Sequence, residues 1–239
     1  YDYLKAGDYG DTAVKNGDYD FTFGEIGKKI GEIVDAGAMP FTFGGDHGIT
    51  LPIVTELAKR HPKRVGVIHF DAHLDNYDGY GDDVYARCSP FFHMYQDPNM
   101  DPTKIVHLGI RGPRNHRKEL QNAKDFGATV ITAMEVRENG WKAAITKALE
   151  VAAKDVDELY ISICSDVLDA AFMPQGPQDM GGLTSYDMLM MLRECGKAGA
   201  TGFDFVEIYP DAYSLQTASH VGCWFALYTL NGIAAKKAE

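Results

Sequence analysis

The chain has 239 residues, of which 45% are hydrophobic and 24% charged, and this composition is typical of a globular protein with one core. Its net charge of -11 argues against nucleic acid or an anionic membrane as a partner. No apolar run approaches the roughly 20 residues of a membrane-spanning helix, and no secretory signal opens the chain. Four cysteines without paired spacing favour a reducing cytoplasm over a disulfide framework.

Hydrophobic periodicity predicts an alternation of strands and helices, which is typical of an α/β fold with a parallel sheet. Residues 1–20 and 76–102 lack this periodicity, and we predict loops there; a loop as long as the second usually has a functional reason. We treat residues 1–239 as a single domain whose N-terminal segment is missing, since the chain starts at Tyr1 in polar sequence. The predicted strands are 39–43, 64–70, 104–110, 128–131, 159–163 and 202–208, and the predicted helices are 23–36, 50–60, 117–126, 141–153, 186–195 and 219–236.

The strand predicted at 64–70 runs directly into a cluster of metal-binding residue types. Asp71, His73 and Asp75 are two residues apart, so an extended strand end would turn all three side chains to one side. Imidazole together with carboxylates suits Mn, Zn, Ni or Fe better than Ca. The alternative interpretation is an ordinary polar strand end that enters a loop.

A second strand end carries the same kind of residues. The strand at 39–43 is followed by two glycines, which permit a tight turn, and then by Asp46 and His47 at the start of a helix. Because the carboxyl ends of parallel strands collect ligands at one edge of a sheet, the two strand ends predict one shared site.

Six ordered motifs resemble those of the ureohydrolases, the superfamily of arginase, agmatinase and guanidinobutyrase. The resemblance covers nearly the whole chain, from about residue 8 onwards. The motifs are GGDH at 44–47, DAHLD at 71–75, HLGIRG at 107–112, SxxxDxxD at 162–169, GGLT at 181–184 and GFDFVE at 202–207.

This resemblance implies a three-layer αβα fold around a mostly parallel sheet and a centre of two divalent metal ions, Mn or in some members Ni. It implies that a metal-bridging hydroxide attacks the guanidinium carbon of a small cationic guanidino compound. The residue roles that it implies are one metal held by His47, Asp71 and Asp75, a second held by Asp71, His73 and Asp166, Glu207 paired with the guanidinium, and Asp46, Asp169 and Asp204 as supporting residues.

Cys164 stands where the family motif has an aspartate that bridges both metals. A thiolate favours softer ions such as Zn and cannot bridge through two separate oxygens, so one metal site is expected to be weakened. Three interpretations of Cys164 stay open: a metal ligand, a small buried apolar residue, or a nucleophile toward a guanidinium carbon.

Arg87 stands in a second departure, where family members carry a histidine that is assigned a proton-shuttle role. Arginine stays protonated near neutral pH and cannot shuttle protons, but it can bind a carboxylate or an anionic intermediate through two hydrogen bonds. The alternative is a surface or inter-subunit salt bridge. His93 could replace the missing histidine only if the loop were rearranged. The loop that begins at Pro174 also departs from the family pattern.

The sequence therefore predicts a metal-dependent hydrolase of C–N bonds in a guanidino or amidino compound, in the cytoplasm, with a substrate unlike arginine or agmatine. The resemblance implies a homo-trimer or hexamer. The alternative hypothesis is a catalytically impaired subunit that supports an active paralogue in a mixed oligomer.

Overall fold

A computed structural model describes residues 4–174, 179–209 and 215–238. The altered loop after Pro174 lies largely outside these residues. The described residues form a six-stranded sheet in the order β1-β6-β5-β2-β3-β4, and every neighbouring pair is parallel. The strands are β1 Phe41–Phe43, β2 Val65–Phe70, β3 Ile105–Ile110, β4 Thr129–Thr132, β5 Glu158–Cys164 and β6 Gly202–Val206.

Helices cover both faces of this sheet, so the predicted three-layer αβα architecture is confirmed. Alternate residues of β2 face opposite ways, as the pleat requires: Val65 and Val67 pack with α1–α3, whereas Ile68 and Phe70 pack with α5–α8. The helices are α1 Tyr19–Asp35, α2 Thr50–Arg60, α3 Pro90–Gln96, α4 Arg117–Phe126, α5 Ala133–Asn139, α6 Trp141–Ala152, α7 Ser185–Ala198 and α8 Leu215–Ala238.

The prediction of loop throughout 76–102 was wrong, because α3 lies within that segment, and α5 was not predicted at all. Both helices have seven residues, which is too short for a clear 3.6-residue hydrophobic period. Their local sequences nevertheless carry start signals: Pro90 opens α3, and Thr132 with Glu135 forms a capping box at α5. The predicted loop 1–20 also ends early, because Asp18 caps α1 one residue before Tyr19.

In the part of the chain that the structure describes, no helix is both long and apolar enough to cross a membrane.

Close contact between α7 and α8 depends on glycine. A Cβ atom on Gly196 would lie 2.2 Å from the backbone oxygen of Thr229, and one on Gly232 would lie 2.1 Å from the oxygen of Arg193. The two backbones approach each other at these positions because neither residue has a side chain.

We expect Gly196→Ala to lower the free energy of unfolding by about 1–3 kcal/mol, because the new methyl group forces α7 and α8 apart. The matched control is Gly24→Ala in α1, where nothing lies within 4 Å of the added methyl. It should raise stability by about 0.5–1 kcal/mol. Urea unfolding of both variants measures the difference; equal effects would contradict the close packing.

Candidate metal centre

Four strands of the sheet deliver polar residues to one edge, at their carboxyl ends. His47 follows β1, Asp71 follows β2, Cys164 ends β5 and Glu207 follows β6. All four side chains are buried. The ends of β1 and β2, for which the sequence predicts one shared site, therefore do lie together, and the ends of β5 and β6 join them, as is usual for ligand sites of parallel sheets.

The geometry after β2 differs from the extended strand end that we expected. The strand ends at Phe70, the chain bends at residues 72–73, and Asp71 Oδ1 accepts a hydrogen bond of 2.6 Å from the His73 backbone N–H. Asp75 then adopts a left-handed backbone with φ of 45°. Such a conformation is costly for a residue other than glycine, and it is characteristic of functional sites. The bend, rather than strand alternation, brings these side chains together.

The first group of candidate ligands comprises His47, Asp71 and Asp75. The His47 Nδ1 atom lies 3.0 Å from Asp71 Oδ2 and 2.9 Å from Asp75 Oδ2. Neither approach has hydrogen-bond geometry, and this buried nitrogen has no hydrogen-bond partner among the described residues. Buried polar atoms are rarely left unpaired. The His47 nitrogen and the two carboxylate oxygens thus converge without hydrogen bonds to one another, and this arrangement suits one cation.

The second group shares Asp71 and adds Asp166 and Cys164, whose ligand atoms lie within 4.8 Å of one another. His73 belongs with them, because its Nδ1 atom is 3.1 Å from Asp166 Oδ2 and 3.4 Å from Asp71 Oδ1. Asp166 Oδ2 is also buried without a hydrogen-bond partner among the described residues. The two groups have ligand types that fit divalent cations, with Asp71 between them.

Both histidines are turned so that Nδ1 faces the carboxylates. His47 Nε2 lies 3.0 Å from Ser162 Oγ, and this hydroxyl donates to Asp204 Oδ1 at 2.8 Å. The hydroxyl must therefore accept a hydrogen bond from the Nε2–H of His47, and this tautomer leaves a lone pair on Nδ1. His73 Nε2 lies 2.7 Å from Asp179 Oδ2 and donates to it in the same way. Partners of this kind set the tautomer of histidines that bind metals.

A buried chain of three residues also fixes Asp71. His69 Nε2 lies 2.9 Å from Asp71 Oδ2, His69 Nδ1 lies 2.7 Å from His107 Nδ1, and His107 Nε2 lies 2.5 Å from the Tyr95 hydroxyl. If Tyr95 donates to His107, each ring donates onward and the last N–H points at Asp71. Both His69 nitrogens are then used, so His69 holds Asp71 rather than a cation.

The roles of His69, His107 and Asp179 were not predicted from the sequence. A signal for His69 was present, because it precedes Asp71 by two residues and so shares its side of the strand. His107 pairs with His69 across β2 and β3, which requires knowledge of the strand register. Asp179 is distant from His73 in sequence, and only the fold brings it near.

Crowded carboxylates perturb one another in this site. Burial, together with the charge of Asp71, raises the pKa of Asp75 to about 7 and that of Asp166 to about 6. Burial and the neighbouring Asp166 and Asp71 raise the pKa of the Cys164 thiol well above its usual range. A cation would relieve this repulsion and would stabilise a thiolate. The residues thus fit a centre of two divalent cations.

A model of the arginase family matches residues 1–231, most of the chain. The chain belongs to the arginase family. It is 34% identical to guanidinopropionase of Pseudomonas aeruginosa over 88% of the chain and 65% of that protein. It is 31% identical to mitochondrial agmatinase of Gallus gallus over 88% of the chain and 61% of that protein. The chain thus spans less than two thirds of these relatives' lengths.

The fold agrees with that of a solved enzyme structure. The structure of formimidoylglutamase from Bacillus subtilis superposes with a TM-score of 0.89 at 24% identity, over 95% of the chain and 71% of that protein. This similarity confirms the arginase-like αβα architecture.

Glu207 is a buried and tightly held carboxylate beside the candidate metal centre of this arginase-family chain. Its backbone is left-handed, with φ of 57°, its backbone N–H donates to the Gly45 oxygen, and its side chain is 4% exposed. Oε1 accepts the His47 backbone N–H at 3.0 Å, and Oε2 accepts the Tyr209 hydroxyl at 2.6 Å. Arg87 Nη1 lies 3.2 Å from the same Oε2. Arg87 thus pairs with the carboxylate that the family resemblance assigns to the substrate.

The remaining predicted residues lie outside the two ligand groups. Asp46 Oδ1 accepts the Gly48 backbone N–H at 2.8 Å and so caps the turn that carries His47. The Asp169 carboxylate accepts the backbone N–H groups of Ala171, Gly181 and Gly182, so it holds the loop of the GGLT motif. His93 Nε2 donates to the Val84 oxygen at 2.6 Å, and His93 belongs to neither ligand group of the described residues.

Asp204 anchors the polar network under the centre, because its buried carboxylate accepts the hydroxyls of Thr50, Tyr160 and Ser162. We expect Asp204→Ala to lower the free energy of unfolding by about 3 kcal/mol or more, since it leaves several buried donors without an acceptor. The matched control is Asp20→Ala at an exposed position, which should change stability by less than about 0.5 kcal/mol. Urea unfolding measures both; a neutral Asp204→Ala would contradict this role.

Proposed function

We propose that this protein is a metal-dependent hydrolase that cleaves a C–N bond of a guanidino compound. The observation that carries the proposal is the convergence of two groups of buried ligands on Asp71, with unpaired ligand atoms on His47 and Asp166. Membership of the arginase family supports it. In this reaction a guanidinium and one water give urea and a protonated amine, so one C–N bond breaks and one C–O bond forms.

We assign His47, Asp71 and Asp75 to one cation, and Asp71, His73, Asp166 and Cys164 to the other. Oxygen and imidazole ligands make Mn the preferred ion for the first site, with Ni as an alternative. The Cys164 sulfur favours a softer ion such as Zn at the second. Cations bound here would lower the pKa of a water molecule and supply the nucleophile at neutral pH.

Residues of the chain would bind the substrate and keep the candidate metal ligands oriented. Glu207 would bind the guanidinium, because it is a fixed and buried carboxylate beside the ligand groups. The His69, His107 and Tyr95 chain keeps Asp71 oriented, and Ser162 and Asp179 keep the lone pairs of His47 and His73 on the metal side. Because these side chains are already oriented, they need not reorganise during the reaction.

The second candidate is a catalytically impaired subunit that supports an active paralogue. Two residues favour it. Cys164 stands where the family resemblance expects a metal-binding aspartate, and Arg87 forms an ion pair with Glu207. Metal content separates the two candidates, because a structural subunit does not need a loaded centre.

We expect about two divalent cations per chain after incubation with Mn²⁺ and Zn²⁺ together, and release of urea from a guanidino compound. Asp71→Asn should lose both, because Asp71 contributes to both ligand groups. Mass spectrometry of bound metal and a urea assay measure the two results. The control Asp20→Asn changes an exposed residue outside both ligand groups and should keep both.

Full metal occupancy in Asp71→Asn would refute the assigned site. No bound metal in the unaltered protein, even with excess Mn²⁺, Ni²⁺ or Zn²⁺, would refute the hydrolase and favour the structural subunit.

Cys164 as a ligand predicts a specific spectroscopic result. With Co²⁺, the unaltered protein should show a sulfur-to-metal charge-transfer band in the near ultraviolet, and Cys164→Ser should lack it. Cys164→Asp should bind more Mn²⁺ than the unaltered protein, because it restores a hard oxygen ligand. The control is Cys195→Ser, whose thiol is buried in the core.

A Co²⁺ spectrum that is unchanged in Cys164→Ser would remove Cys164 from the centre. The interpretations as a small buried residue or as a nucleophile would then remain.

We further propose that the protein acts in the cytoplasm as a homo-trimer or hexamer, or in a mixed assembly with a paralogue. Four cysteines that are free in the structure support a reducing compartment. The α8 surface exposes Trp224 and Leu227, each by about half, and large apolar groups of this kind are typical of subunit contacts.

A further inference from the structure

The carboxylate assigned to the substrate guanidinium already holds a guanidinium from the chain itself. Arg87 Nη1 lies 3.2 Å from Glu207 Oε2 and also donates to the Tyr209 hydroxyl, which donates to the same oxygen. The other oxygen of Glu207 accepts the His47 backbone N–H. A substrate guanidinium that pairs with Glu207 must therefore replace Arg87.

The two side chains of this ion pair differ in how freely they can move. Glu207 is buried, and its backbone is held by hydrogen bonds to Gly45 and from Ser165. The Arg87 side chain is 54% exposed and carries its charge on a long flexible stem. When the pair opens, Glu207 stays in place and Arg87 moves.

Charge decides which substrates can open the pair. A guanidinium with a second positive group would displace Arg87 and leave that arginine unpaired beside another cation, which is unfavourable near a buried site. A guanidinium that carries a carboxylate at its other end offers Arg87 a new partner. Two ion pairs then replace one, and the planar guanidinium of Arg87 can bind a carboxylate through two parallel hydrogen bonds.

We propose that this site selects zwitterionic guanidino acids, whose guanidinium replaces Arg87 on Glu207 while Arg87 turns to bind the carboxylate. This inference rests on the proposed hydrolase function and names its substrate class. Arg87 is then a specificity-determining residue in the position where the family resemblance expects a histidine.

The test compares two ligands of similar length, 4-guanidinobutanoate and agmatine, which differ in the charge at the far end. Their dissociation constants for the Mn²⁺-loaded full chain are measured by calorimetry, and urea release from each is followed in parallel. The guanidino acid should bind about tenfold or more tightly than agmatine.

Arg87→Met keeps the length of the side chain and removes its charge. We expect it to weaken binding of the guanidino acid about tenfold or more and to tighten binding of agmatine, so that the preference is lost or reversed. Arg87→Lys keeps the positive charge but loses the planar guanidinium. Its dissociation constants should therefore lie between those of the unaltered protein and those of Arg87→Met. Arg137→Met, at an exposed position in α5, is the matched control and should leave both constants unchanged.

Binding and urea release separate the two proposals. Arg87-dependent binding of the guanidino acid without urea release would retain this inference and refute the proposed hydrolase. Urea release with a preference for agmatine, equal losses for both ligands in Arg87→Met, or no binding of either ligand would overturn the inference.

Discussion

The confinement of several carboxylates within one buried edge of the sheet is the constraint on which the site depends. Asp71 and Asp166 are almost completely buried, and Asp75 is nearly so. Each would repel the others if all were charged, and this repulsion together with burial raises the pKa of Asp75 and Asp166. Only opposite charge or donated protons can hold such a group together. The chain supplies part of this through the His69 ring N–H and the His73 backbone N–H, which donate to Asp71, and divalent cations would supply the rest.

A layer of hydrogen bonds beneath the carboxylates keeps the ligands in place. The Asp204 carboxylate accepts hydrogen bonds from three hydroxyl groups. One of these hydroxyls, on Ser162, accepts a hydrogen bond from the His47 N–H that faces away from the site. On the other side, Asp179 performs this task for His73. The result is that both imidazoles present a lone pair to the carboxylates. A substitution in this layer would therefore disturb metal binding without removing any ligand.

Glu207 and Arg87 form the other side of the site, and Arg87 stands where the sequence resemblance leads us to expect a histidine. The strained backbone of Glu207 is tolerated because several hydrogen bonds hold it, and strain of this kind is typical of functional positions. Arg87 neutralises this carboxylate, so the site on its own carries a matched pair of charges rather than an open acidic pocket. A ligand must exchange with that pair, and its own charge distribution decides whether the exchange is favourable.

The sequence by itself determined the αβα architecture, the six strands and most of the candidate ligand residues. Strand-ending motifs such as DAHLD and GGDH are local, and apolar periodicity is a local property as well, so both are visible without coordinates. Six motifs in one order also identified the family. Short helices such as α3 and α5 were missed because seven residues carry too little periodic pattern.

Only the tertiary structure decided how the ligands converge and what surrounds them. The bend after Phe70 and the left-handed Asp75 depend on packing around the strand end, not on residue spacing. The contacts between His69 and His107, between His73 and Asp179, and between Arg87 and Glu207 join residues that are 38, 106 and 120 positions apart. Such pairs form because the fold brings distant strand ends to one edge, and nothing in the local sequence of either partner specifies the other.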